Sequence, residues 1–99
     1  MRMLNFTVEG QRLKKEGDFS GIRAGSVNYL KCQFRSGDED WKKSKKAAVF
    51  NDIYPVPLDE TQSCMVPDEV SEDRSFRVQL VGQNGKTRIV TNAVLIEQV

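Results

Sequence analysis

The chain has 99 residues, 38% hydrophobic and 29% charged, and its fifteen basic and fourteen acidic side chains leave a formal charge of +1. One domain spanning 1–99 with a modest core follows from that length, and the charge balance argues against a surface built for nucleic acid or membrane, which needs a basic excess. Histidine is absent, which removes Ser-His and Cys-His nucleophile pairs, the commonest zinc ligand and the usual base near neutral pH.

Apolar residues recur with a period near two, and turn signals return every 8–12 residues or so, the pattern of an all-β antiparallel sandwich. Seven to eight strands are expected, immunoglobulin-like in arrangement, with a small β-barrel as the alternative. Leu4, Phe6 and Val8 alternate with polar partners and form a first strand that breaks at Gly10. Gln11 to Lys15 continue pairing past a bulge or bend there. Residues 16–26, with Gly17, Gly21 and Gly25, read as a long loop. Val27 to Arg35 form the clearest strand of the first half, with Leu30, Cys32 and Phe34 on one face. Residues 36–40 are a polar acidic turn, and Ala47-Ala48-Val49-Phe50 is a strand buried on at least one face.

Asn51-Asp52 mark the next turn. Pro55 and Pro57 remove two backbone donors from the run Tyr54–Leu58, so that run is an edge strand or an extended connection. Cys64 and Val66 share one side of a short strand, and Pro67 to Val70 form one helical turn with the proline in its first position. Phe76, Val78 and Leu80 open the firmest element, a hairpin turning at Gln83-Asn84-Gly85-Lys86, where Asn-Gly accepts a type I′ turn. Its return strand holds Ile89 and carries a bulge at Asn92 before Val94 and Ile96.

No apolar run approaches the roughly 20 residues of a membrane span, and Met1-Arg2-Met3 leads straight into the first strand without a secretory leader. Synthesis in the cytosol, no membrane partner and reduced thiols at Cys32 and Cys64 are the expectations. Both cysteines fall on inward faces, where they act as small apolar core fillers or, in an oxidising compartment, as a bridge between two sheets. Neither acidic segment (38–40, or Asp68, Glu69, Glu72, Asp73) has calcium-loop spacing, and the glycines at 17, 21 and 25 match no phosphate loop. Catalytic residues, a metal site and cofactors are therefore not assigned.

One stretch carries a candidate interaction surface. Trp41, Lys42, Lys43, Lys45 and Lys46 interleave an aromatic with four lysines, and Tyr54 joins them as an exposed aromatic. The lysines read more simply as a solvated strand end, and Trp41 as a core or core-rim residue. Two alternatives attach to these residues: a sugar platform of Trp41, Tyr29 and Tyr54, and a small regulator binding nucleic acid through the lysines. Against the latter, Asp38, Glu39 and Asp40 lie close enough to cancel much of the lysine field, so nucleic acid is a poor partner.

The order of segments also carries a resemblance. Leu-Asn-Phe-Thr-Val-Glu-Gly-Gln-Arg-Leu at 4–13 is followed by Tyr-Leu-Lys-Cys-Gln-Phe at 29–34. Asp40-Trp41, Ala48-Val49-Phe50, Cys-Met-Val-Pro-Asp-Glu-Val at 64–70 and a hairpin ending Val90-Thr91-Asn92 come next. This series resembles short virion structural proteins of phages and prophages of Gram-positive bacteria, similar to the N-terminal β-sandwich domain of baseplate upper proteins. The lysine run at 42–46 departs from that pattern, which has fewer lysines and a glycine there. The resemblance implies a non-enzymatic tail baseplate or head-decoration component that moves from cytosol to virion. It implies other virion proteins as partners and leaves room for a homo-oligomer.

Overall fold

Alternation decides which residues meet. Leu4, Phe6 and Val8 share the buried face of β1 (Arg2–Glu9), Leu30, Cys32 and Phe34 that of β3 (Leu30–Ser36), and Phe76, Val78 and Leu80 that of β7 (Ser75–Asn84). A pleated strand turns every second side chain to the same side, so each triplet faces one core. The computed structural model describes residues 1–99. It adds β2 (Arg12–Glu16), β4 (Lys45–Phe50), β5 (Tyr54–Pro57), β6 (Ser63–Met65), β8 (Thr87–Val90) and β9 (Val94–Glu97), with single-turn helices α1 (Glu39–Lys42) and α2 (Asp68–Ser71).

The first sheet runs β2-β1-β3-β6 and the second β5-β4-β7, with β8 and β9 in turn along the far side of β7. Their inner faces enclose a single core that includes Phe6, Phe34, Phe50, Phe76 and Trp41. Phe6 stacks on Phe34 at 5.0 Å and meets Phe19 edge-on at 5.4 Å; each such ring, fully buried, contributes roughly 1.5–3 kcal/mol. This is the expected all-β, two-sheet sandwich.

One pairing departs from the antiparallel expectation: β1 and β3 run parallel, with Phe6 opposite Phe34. The connection explains it. β2 returns the chain to the end where β1 began, and residues 17–29 stay at that lower end. There Arg2 N–H donates to Tyr29 O at 2.8 Å, so β3 sets off in the direction of β1. Ile22, 1% exposed, plugs this loop into the core. Asn28, with φ at 53°, delays the expected strand from Val27 to Leu30.

Nine strands form, beyond the seven to eight expected, because the return strand of the last hairpin is interrupted. Leu80 N–H donates to Thr91 Oγ1 at 3.0 Å, so a side chain replaces a backbone acceptor at the break. The next residue closes the lateral edge of the sandwich. Asn92 Oδ1 accepts from Leu13 N–H at 2.7 Å and its Nδ2 donates to Leu13 O at 3.2 Å, tying β2 to the β8–β9 break. The bulge expected at Asn92 thus serves as a clasp.

The hairpin turn sits one residue later than Asn84-Gly85. Asn84 pairs with Thr87, leaving Gly85-Lys86 as the loop. Within that loop positive φ falls on Gly85 alone (59°), the type II′ pattern and not I′. Pro67 is the cap before α2 and not its first residue, and α1 forms where a plain turn was expected. β5 is an edge strand, as its prolines require. No helix is long and apolar enough to cross a membrane.

Candidate interaction surface

The six residues that the sequence groups together do not share a surface. α1 lies over the upper end of the sandwich and turns Trp41 inward. The indole is 1% exposed, and its Nε1 donates to Gly10 O at 2.7 Å. Tyr54 stands opposite Phe50, on the inner side of the second sheet, and packs against the core. Trp41 thus takes the core place that its ring favours, and Tyr54 leaves the expected surface, since burying the rings gains more than exposing them. Tyr29 is exposed at the lower end, so no sugar platform of Trp41, Tyr29 and Tyr54 exists.

The lysines separate too. Lys42 and Lys43 project from α1 and the turn after it, Lys45 lies on the outer face of β4, and Lys46 turns toward the interior. Lys42 and Lys46 border an open cavity of about 190 Å³ beneath α1, floored by Val8, Phe34 and Leu80 and flanked by Gln62. Lys46 Nζ donates to Ser44 O at 3.2 Å, and partial burial lowers its pKa. Arg35 also borders this space, yet its guanidinium is turned to Glu16 at 2.5 Å on the outer side. The three ion pairs of the chain, Lys31–Asp59, Arg35–Glu16 and Arg77–Asp52, include none of the four lysines. Asp38 instead accepts from Gly10 N–H at 2.6 Å, fixing the β1–β2 turn beside Trp41.

Cys32 and Cys64 face each other directly across β3 and β6. They belong to one sheet, so a bridge between sheets is not formed; both are buried thiols. The hydrogen bond between them, then burial, push the Cys32 pKa above its ordinary value. In the turn before β6, Asp59 Oδ1 accepts from Thr61 N, Thr61 Oγ1 and Ser63 N at 2.9, 2.6 and 3.0 Å. These bonds, the Thr61 hydroxyl first, lower the Asp59 pKa.

The two outer faces of the sandwich differ sharply. On the first sheet the register sets Lys14, Thr7 and Arg35 in one row and Glu16, Asn5, Gln33 and Ser63 in the next. Below them Met3 and Met65 flank Lys31, so this outward face is mostly polar, with two methionines at its lower end. On the second sheet the row is Pro57, Ala47, Val81 and Val90, and beside it Pro55 and Val49 lead to Gln79. Leu95, 46% exposed and opposite Arg77, extends the apolar surface downward. Lys45, Gln83 and Arg88 border its upper end, and Ser75 and Glu97 its lower end. Nothing in the chain covers this strip.

Of the residues named from sequence, Lys45 alone borders this face. Ala47, Val49, Val81 and Val90 are not grouped by the sequence as a surface, although the run 47–50 holds the signal. Four apolar residues in succession fill both faces of a strand, whereas a strand with one solvated face alternates.

Comparison with protein-family models, curated proteins and solved structures finds no match to this chain.

Proposed function

We propose that the chain is a non-enzymatic structural module of a phage particle, a tail baseplate or head-decoration component that works by protein–protein contact. Its docking surface is the outer face of the second sheet. The observation carrying this is the apolar strip of Ala47, Val49, Pro55, Pro57, Val81 and Val90, set against a face on the other sheet that is polar apart from Met3 and Met65 at its lower end. A contiguous apolar patch open to solvent and rimmed by polar residues is the mark of a surface that is covered in use. The basic border at Lys45 and Arg88 fits a protein partner whose apolar surface carries an acidic margin. The resemblance of the segment order to virion structural proteins supplies the setting. Peptide mass spectrometry on particles purified from a bacterium carrying the gene tests it. Stoichiometric amounts in intact particles are expected; absence from them would overturn the proposal.

A further inference from the structure

Building on the docking reading above, we infer that the second-sheet face binds the same face of a second copy, related by a twofold axis that crosses the strands.

The geometry follows from the register. Val49 and Gln79 are opposite one another and occupy the middle row of the face. Two rows above them lie Lys45, Gln83 and Arg88, and two rows below lie Ser75 and Glu97. β8 and β9 occupy the same side of β7, one above the other. An axis through the Val49–Gln79 row and across the strands therefore lays the upper end of one copy on the lower end of the other, each column on its own counterpart. Val49 then meets Val49, Val90 meets Leu95, and Arg88 meets Glu97. Val81 meets Arg77, whose guanidinium is already paired with Asp52 at 3.1 Å. Lys45 comes to the end where β4 turns at Asp52. The acidic margin that the basic border calls for is thus on this chain's own face. A twofold contact of this kind is isologous, each copy contributing both halves of every pair.

With the axis along the strands instead, the upper end lies on the upper end, so Glu97 meets no cation, and an axis along β7 sets Lys45 against Arg88. Like charges directly apposed disfavour it. Two sheets also stack face to face about 10 Å apart with their strands nearly aligned, which the crossing axis permits. The heteromeric alternative remains for the test to separate.

Size sets the strength. Four strands at about 4.8 Å spacing and eight residue steps at about 3.4 Å give a face of roughly 19 by 27 Å, or about 500 Å². Two such faces bury roughly 1,000 Å², the lower limit for a specific interface, so the dimer is expected to be reversible and concentration-dependent.

Sedimentation velocity of the full chain from about 5 to 500 µM tests this across the micromolar range. A reversible monomer–dimer equilibrium is expected, abolished by Val49→Glu with Val90→Glu while the melting temperature holds. Arg88→Glu alone and Glu97→Arg alone should each weaken the dimer about tenfold, and the two together should restore it. Monomer at every concentration overturns the inference, as does a dimer indifferent to the valine pair or one that the paired charge swap fails to rescue. A monomeric chain whose valine variant is also excluded from particles assigns the face to a different protein, which rejects the second copy and leaves the docking reading standing.

Discussion

Trp41 lies against Gly82 so closely that a methyl group at residue 82 would sit 2.8 Å from the indole Cζ3 and 3.0 Å from the Cβ of Ser44. The missing side chain in β7 is what admits the largest ring of the core. Gly82→Ala overpacks this site and is expected to cost about 1–3 kcal/mol. In a domain of this size each kcal/mol lowers Tm by roughly 4–8 °C, which calorimetry resolves. Trp41 emission in the wild type should be blue-shifted and unmoved by cell-wall polysaccharide. An unchanged Tm or a red-shifted, responsive tryptophan would contradict the packing.

Asn92 replaces a missing strand partner for Leu13, satisfying its N–H and C=O together. Asn92→Ala leaves both groups dependent on water at a half-buried edge and should cost about 1–3 kcal/mol. Hydrogen exchange reads the effect locally, with the Leu13 amide speeding up more than amides of β7. Equal exchange at Leu13 in both proteins would show that the clasp does not hold β2.

The thiol pair gives a pH dependence with a definite sign. The folded-state pKa of Cys32 is raised above its ordinary 9.0. The unfolded chain therefore loses that proton first, and stability is intact below pH 9.0 and falls as pH rises beyond it. Iodoacetamide at pH 8 should modify neither cysteine in the folded chain and both after unfolding in urea. Labelling of the folded chain at the rate of a free peptide would show the thiols to be accessible.

The lysines of the α1 region have no acidic partners, so replacing Lys42 and Lys43 with glutamine should change stability by less than about 0.5 kcal/mol. Lys45→Gln should behave alike in the isolated chain. It should weaken association through the second-sheet face, where Lys42→Gln should not, and sedimentation separates the two. Equal effects from both would detach Lys45 from that face.

Period-two alternation makes β1, β3 and β7 legible in the sequence, because Phe76, Val78 and Leu80 can pack inward only if Arg77 and Gln79 point out. The prolines at 55 and 57 likewise mark an edge from sequence alone, since neither can donate to a ladder. Three features are not legible, each because it depends on which strands become neighbours. The parallel pairing of β1 and β3 follows from where residues 17–29 cross. The role of Asn92 needs Leu13 beside it, 79 positions away in the chain. The apolar strip exists only once Val49, Val81 and Val90 are brought into adjacent columns. Trp41 beside four lysines admits both a core and a surface reading because single-turn α1 has no periodicity to show which way the indole points.

The most direct test of the docking face compares two variants for entry into particles. Val49→Glu with Val90→Glu alters the outer face of the second sheet, and Thr7→Glu alters that of the first, between Lys14 and Arg35. Both should fold with the melting behaviour of the wild type. If the second-sheet face is the docking surface, the Thr7 variant enters particles at the wild-type level and the valine variant is excluded. Entry of the valine variant at the wild-type level would contradict it.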